Sequence, residues 1–153
     1  MKIGLIGFGL EAKSAYDYFK GIDQNNTFEI YDENPKSKIE LPNGVKFFGD
    51  FHDFSKIQAD LIVRTPAVNP RRLPKNAKIT SVTNLFFEKC PAPIIGVTGS
   101  KGKGTVSSFT AEILRAAGLR VHLVGNIGVP SLDVLPQIQP GDIVVYEFKK
   151  MMP

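Results

Sequence analysis

The stretch PIIGVTGSKGKGTVSSFTAEILRAAG, residues 93–118, decides the fold of the second half of the chain. It begins with a short apolar run, residues 94–98, which is typical of a buried strand. Four apolar residues then recur at helical spacing and share one face: Val106, Phe109, Ile113 and Ala117. Gly118 predicts the end of that helix. The stretch therefore predicts a strand, a glycine-rich loop and a helix in that order, which is typical of an α/β fold.

Residues 99–105 have the composition of a loop that binds phosphate. Glycines allow backbone N–H groups to turn inward around an anion, and the helix N-terminus adds free donors and partial positive charge. Lys103 can reach terminal phosphates, and a nearby hydroxyl can hold Mg²⁺. The match to G-x-x-x-x-G-K-[ST] is imperfect, because Val97 holds the first glycine position and Gly104 follows the lysine, which leaves Thr105 as the hydroxyl. The alternative is a flexible turn with lysines for solubility, which does not explain three glycines and two lysines in six residues.

The rest of the chain alternates short apolar runs with connectors long enough for helices. Five runs in the first part predict strands: residues 2–6, 28–31, 45–48, 61–63 and 79–82. The pattern restarts after the proline-rich residues 90–93, and two further runs follow at residues 121–124 and 143–148. This alternation predicts parallel sheets covered on both faces, in domains of residues 1–92 and 93–153. We expect the second domain to be truncated, because so small a unit buries little surface.

A second glycine loop, residues 7–12, matches G-x-G-x-x-A directly after the first predicted strand. The pattern predicts a Rossmann-like first turn. Asp32 lies at the end of the second predicted strand, where an acid can accept a hydrogen bond from a ribose hydroxyl. NAD therefore remains open as a ligand, although Glu11 at the helix start argues against a pyrophosphate there.

Two polar residues of the second half stand next to predicted strands. Asn126 follows one strand, at the sheet edge where open α/β sheets bind ligands, although its spacing alone favours a plain loop. Glu147 interrupts the apolar run 143–148, where a buried acid is costly unless it is paired or holds a metal. The alternative for Glu147 is a charge on an edge strand.

The composition excludes several classes of protein. The chain has 153 residues, of which 42% are hydrophobic and 22% charged, as in globular proteins. The net charge of +4 is spread along the sequence, so no basic stripe for nucleic acid is indicated. The single cysteine, Cys90, excludes a disulfide framework and fits a reducing compartment. No apolar run approaches the ~20 residues of a membrane span, and no signal peptide precedes the first strand, so we expect a cytoplasmic protein.

Five stretches resemble the Mur ligases in order and in approximate spacing. They are GLIGFGLEAKSAYDYF (residues 4–19), DLIVRTPAVNP (60–70), the opening stretch 93–118, VGNIGVPSLDVL (124–135) and DIVVYEF (142–148). Together they extend over nearly the whole chain. The combination is far more specific than either glycine loop alone.

The resemblance implies a Rossmann-like domain that binds the UDP part of UDP-MurNAc-L-alanine, followed by the start of a P-loop domain that binds ATP and Mg²⁺. The implied substrate-binding residues are Leu10, Glu11, Asp32, Thr65, Pro66, Ala67 and Asn126. The implied ATP-binding residues are Gly99, Ser100, Lys101, Gly102, Lys103, Gly104 and Thr105. The implied catalytic residues are Lys103, Asn126 and Glu147, with Thr105 and Glu147 as metal ligands. The implied reaction belongs to peptidoglycan synthesis: ATP phosphorylates the substrate carboxylate, and the amine of D-glutamate attacks the acyl phosphate.

The chain departs from the family pattern at two places. Gly104 replaces the usual hydroxyl residue, in a GKGT form that is similar to folylpolyglutamate synthases, which makes Thr105 the candidate Mg²⁺ ligand. After Glu147 the family continues with a Ser-Ser-Phe-Gln-Leu-like segment, whereas this chain reads FKKMMP in residues 148–153. We therefore expect an N-terminal ligase fragment that does not ligate alone. The alternatives are a stand-alone, non-catalytic nucleotide-binding module and an NAD-binding oxidoreductase domain.

Overall fold

The computed structural model describes residues 1–35, 41–66, 68–126 and 129–149. The chain divides into two compact units, Met1–Val82 and Thr83–Pro153. The boundary predicted between residues 92 and 93 lies beyond helix α2 (Val82–Lys89), whose Phe86 and Phe87 rings contact Tyr146 of the second unit. The predicted division into two domains of separate function, residues 1–92 and 93–153, therefore stays a prediction.

A five-stranded parallel sheet forms the first unit, in the order β3-β2-β1-β4-β5. Its strands are β1 (Lys2–Ile6), β2 (Thr27–Tyr31), β3 (Lys46–Phe48), β4 (Leu61–Val63) and β5 (Ile79–Thr80). Helix α1 (Leu10–Ile22) follows β1 after a short turn. Ile3, Leu5 and Ile30 of the central strands are fully buried, which explains why these strands are almost continuously apolar in sequence.

The core of the first unit extends to the carboxyl ends of its strands. Ile6 and Tyr31, the last residues of β1 and β2, pack in one cluster with Phe54, Ile62 and six further apolar side chains, of which three are buried and three partly buried. Aromatic rings extend this cluster towards β3, where the Tyr31 ring is stacked on the Phe48 ring with 5.0 Å between centroids. The edge of the sheet that follows β1, β2 and β4 therefore has an apolar floor.

A three-stranded parallel sheet forms the second unit, in the order β6-β8-β7. Its strands are β6 (Ile94–Val97), β7 (Val121–Gly125) and β8 (Ile143–Glu147). The helices of this unit are α2, α3 (Lys103–Ala116) and α4 (Ser131–Val134). Because β8 lies in the centre, its apolar residues are buried, with Val144 and Val145 fully so.

Helix α3 packs against the sheet through Ser107, Ala111 and Leu114, and not through the predicted stripe of large apolar residues. Ala111 is fully buried and packs with Val97 and Val145. The stripe that the sequence places on one helical face is exposed instead, with Phe109 at 65% and Ile113 at 67%. The hydrophobic period therefore predicts the helix but not the face that packs.

The structure confirms the α/β fold class, with parallel strands that alternate with helices in both units. Element ends differ from the sequence expectation by a few residues. Strand β5 contains only Ile79 and Thr80, because Val82 already begins α2. In the part of the chain that the structure describes, no helix combines the length and the apolar character needed to cross a membrane.

Candidate functional site

The loop between β6 and α3 depends on two glycines. Gly99 has φ +149° and Gly102 has φ +76°, a region of backbone conformation that favours glycine. Gly102 caps α3, and its carbonyl accepts the hydrogen bond of the Val106 N–H at 2.9 Å. The loop therefore leads directly into a helix N-terminus, whose first N–H groups have no intrahelical acceptor and can bind an anion.

Lys103 folds back over this loop. Its Nζ atom donates to the Gly99 carbonyl at 2.9 Å, which holds the ammonium group above the loop backbone. The other loop side chains, Ser100, Lys101 and Thr105, are exposed. This arrangement places one fixed cation and the free amides of α3 at the carboxyl end of β6.

Glu147 is the last residue of the central strand β8 and is only 3% exposed. In the sheet it lies between Val97 at the end of β6 and Gly125 at the end of β7. The Asn126 Nδ2 atom donates to its Oε1 atom at 3.2 Å, and the Ser107 hydroxyl lies 3.5 Å from its Oε2 atom. The structure therefore brings the predicted pair Asn126 and Glu147 together, on a central strand and not on an edge.

Ser107 was not expected from the sequence to belong to this site. It is fully buried on α3, one turn after Lys103, and its hydroxyl also lies 2.8 Å from the Lys103 carbonyl. The available signal was a serine four residues after the lysine, on the face that carries Ala111. Thr105, the predicted metal ligand, is exposed, and the structure gives no hydrogen bond between it and Glu147 among the described residues.

The surroundings of Glu147 fit a bound cation. Among the described residues, the hydrogen-bond partners of its carboxylate are neutral, and no lysine, arginine or histidine is paired with it. A buried carboxylate without a cationic partner is costly, and carboxylate, amide and hydroxyl oxygens are the ligands that Mg²⁺ accepts. Over the same residues no group of three or more His, Cys, Asp or Glu side chains is placed to hold a metal ion.

A pocket of about 160 Å³ lies in the first unit, at the carboxyl ends of β1, β2 and β4. It is lined by Ile6, Gly7, Tyr31, Asp32, Glu33, Phe54, Thr65 and Val68. Ligands of open parallel sheets bind in this position, outside the carboxyl ends of the strands. Two predicted substrate-binding residues, Asp32 and Thr65, therefore line one pocket.

The other predicted substrate-binding residues that the structure describes, Leu10, Glu11, Pro66 and Asn126, are not among the residues that line it. Leu10 and Glu11 lie in the first turn of α1, and the Leu10 side chain is 74% exposed. Pro66 is exposed next to Thr65, and Ala67 lies outside the described residues. Glu33 lines the pocket but was not expected from the sequence, because nothing in its neighbourhood distinguishes it from a solvated charge.

Backbone hydrogen bonds hold Asp32 at the pocket. Its N–H donates to the Phe48 carbonyl at 3.0 Å, and its own carbonyl accepts from the Phe51 N–H at 2.9 Å. Its Oδ1 atom accepts from the Asn34 N–H at 2.9 Å, which forms an Asx turn. The Asp32 carboxylate is therefore oriented before any ligand arrives.

Tyr31 closes the apolar side of the pocket as a neutral phenol. Burial raises its pKa, and the nearby Glu29 carboxylate, to whose Oε2 atom the Tyr31 hydroxyl donates a hydrogen bond at 2.6 Å, raises it further. The ring face, and not an ionised oxygen, is thus what the pocket presents on this side.

The chain has two α/β units, one with a pocket at its strand ends and one with a phosphate-type loop beside a buried acid. No family model matches it. Two relatives carry the name UDP-N-acetylmuramoylalanine–D-glutamate ligase. The protein of Clostridium kluyveri is 33% identical, over 95% of this chain and 34% of its own length. The protein of Yersinia pseudotuberculosis is 35% identical, over 89% of this chain and 33% of its own length. A pseudomurein peptide ligase type C from Methanothermus fervidus is similar in structure, with a TM-score of 0.49 and 26% identity over 97% of this chain and 33% of that one.

Over most of its length the chain is similar to Mur ligases, and the curated relatives above carry the name UDP-N-acetylmuramoylalanine–D-glutamate ligase. It spans about a third of the length of those relatives.

Proposed function

We propose that this chain is the N-terminal part of an ATP-dependent ligase that forms an amide bond in peptidoglycan precursor synthesis. The first unit binds the UDP part of UDP-MurNAc-L-alanine, and the second binds ATP and Mg²⁺. The observation that carries the proposal is the buried Glu147 carboxylate, which has neutral partners and lies on the strand next to the glycine and lysine loop. That combination suits a nucleotide phosphate with its metal ion.

Lys103 and the first amides of α3 would hold the phosphates of ATP. The ammonium group already lies over the loop, at 2.9 Å from the Gly99 carbonyl, so a small rotation of its side chain brings it to a phosphate oxygen. Charge that spreads over phosphoryl oxygens is stabilised best by donors that are in place beforehand. These residues therefore contribute by position and by charge.

Glu147 would hold Mg²⁺, with Asn126 and Ser107 orienting its two carboxylate oxygens. Bound there, Mg²⁺ supplies charge neutralisation for phosphoryl transfer to the substrate carboxylate. The side-chain amide of Asn126 keeps the Oε1 atom of Glu147 directed at the site. The backbone N–H of Asn126 also donates to the Glu147 carbonyl oxygen at 2.9 Å. Thr105 remains a second candidate ligand, because its exposed hydroxyl lies in the first turn of α3.

The pocket of the first unit suits the uncharged end of a nucleotide. Its floor is aromatic and aliphatic, while Asp32 and Thr65 offer an acceptor and a hydroxyl to ring N–H and ribose groups. The same features would admit the adenosine part of NAD, the ligand of the alternative oxidoreductase.

Calorimetry with Mg·ATP tests the second unit. Lys103→Met should weaken binding by about 1.5–3 kcal/mol, the range for a hydrogen bond to a charged group, which is roughly tenfold to more than a hundredfold. Lys89→Met is the matched control, since it removes one lysine charge from α2, outside the loop. Equal ATP affinity in the wild-type chain and Lys103→Met would contradict the assignment.

Thermal unfolding in the presence of UDP or NAD tests the first unit. A ligand that binds only the native form raises the melting temperature. We expect UDP to do so and NAD to have little effect. Stabilisation by NAD alone would favour the oxidoreductase alternative.

A further inference from the structure

Arg72 lies on the rim of the first-unit pocket and is held there by three contacts. Its Nη2 atom donates to the Glu33 Oε1 atom at 2.5 Å and to the His52 carbonyl at 3.0 Å. Its guanidinium carbon lies 4.8 Å from the centroid of the Phe54 ring. Two of these partners, Glu33 and Phe54, line the pocket.

This ion pair differs from an ordinary surface pair. Exposed pairs contribute little when two flexible side chains must be ordered to form them. Here the planar guanidinium lies over the buried Phe54 ring and donates to the His52 carbonyl. These two contacts hold the Arg72 side chain in place independently of Glu33. Lysine could not reproduce the stacking together with both hydrogen bonds.

The charges around the pocket explain what Arg72 is needed for. Asp32 and Glu33 both line the pocket, and two carboxylates repel a ligand that carries phosphate. Asp32 has a use in the proposed function as an acceptor, whereas Glu33 has no part in it. A cation bonded directly to Glu33 offsets that repulsion.

We propose that Arg72 is a positioning residue that sets the selectivity of this pocket, by neutralising Glu33 so that the pocket accepts a phosphorylated nucleoside. The inference rests on the proposed function of the first unit as a uridine nucleotide site. Arg72 acts through Glu33, and its own contacts with Phe54 and His52 keep it in place. Removing the cation therefore exposes the ligand phosphates to the Glu33 charge, and removing the carboxylate makes the cation dispensable.

Calorimetry with uridine and with UDP tests this, on the full chain and four variants. Arg72→Met keeps an apolar stem over Phe54 and should weaken UDP binding by about fivefold to tenfold, while uridine affinity changes by less than about twofold. Arg71→Met is the matched control, because it removes the same charge from the adjacent residue. Arg71 donates its backbone N–H to the Asn69 Oδ1 atom, and this hydrogen bond does not depend on the side chain. Glu33→Gln should bind UDP at least as tightly as the wild-type chain. In Arg72→Met/Glu33→Gln, UDP affinity should return to that of Glu33→Gln within about twofold.

The outcomes separate this inference from the function on which it rests. Equal losses for uridine and UDP in Arg72→Met would show a merely structural role and overturn the inference. A selective loss for UDP without rescue by Glu33→Gln, or weaker UDP binding in Glu33→Gln alone, would overturn it as well. If the wild-type chain bound neither uridine nor UDP, the proposed function would fail, and this inference with it.

Discussion

Gly125 lies against the backbone of Glu147 so closely that no side chain fits between them. A Cβ atom on Gly125 would be 2.2 Å from the Glu147 carbonyl oxygen, and Gly125 has φ +108°. The contact places the end of β7, and with it Asn126, directly beside the buried carboxylate.

Gly125→Ala should therefore destabilise the chain strongly, by about 3 kcal/mol or more, because backbone must move to admit the methyl group. Gly141→Ala is the matched control, since Gly141 also has positive φ, at +98°, but open space around it. Urea unfolding of both variants measures the difference. Similar losses in the two variants would mean that the dihedral angle, and not the Glu147 contact, is responsible.

Glu147→Gln should stabilise the chain when no metal is present, by roughly 1 kcal/mol, because it removes a buried charge that has no cationic partner among the residues the structure describes. The same variant should lose the additional rise in melting temperature that Mg²⁺ gives with ATP over ATP alone. Thermal unfolding with and without Mg²⁺ checks both effects. A variant that still gained stability from Mg²⁺ would place the metal elsewhere.

The exposed stripe of α3 should be tolerant of polar residues. Phe109→Ser and Ile113→Ser should each change the free energy of unfolding by about 0.5 kcal/mol or less, since both side chains are mostly exposed. Ala111→Leu on the opposite face should cost roughly 1–3 kcal/mol by overpacking a fully buried position. Chemical unfolding that ranked these variants in the reverse order would show that the stripe, and not Ala111, packs in the folded chain.

Stability should fall in acid through Asp142. Hydrogen bonds from the Gln139 N–H, and then from His122, hold the pKa of the Asp142 carboxyl below its ordinary value of 3.8. The folded form thus binds its proton less readily than the unfolded form, so this contribution is complete above about pH 4 and is lost as the pH falls through the folded pKa. Unfolding measured between pH 6 and pH 2 should show a shallower decline in Asp142→Asn. An unchanged acid profile would assign the decline to other carboxylates, such as Asp53, whose pKa is also lowered by its hydrogen bond with Ser55.

Much of the fold follows from local patterns. Short apolar runs predicted eight strands, each of which overlaps a strand of the structure, because buried parallel strands are apolar on both faces whatever their neighbours are. Gly99 and Gly102 indicated a loop with unusual backbone angles, and both have positive φ. The roles of Lys103 and Thr105 stay predictions, since they concern ligands.

What the sequence by itself determined is therefore the order of strands, loops and helices, together with two acids, Asp32 directly after a strand and Glu147 within one. Only the tertiary structure decided which residues meet there: Ser107 with Glu147, and Arg72 with Glu33, which are far apart in the chain. It also decided that β8 is the central strand and that Ala111, and not Phe109, faces the sheet. The physical reason is that periodicity depends on neighbours along the chain, whereas strand order and packing depend on contacts between segments distant in sequence.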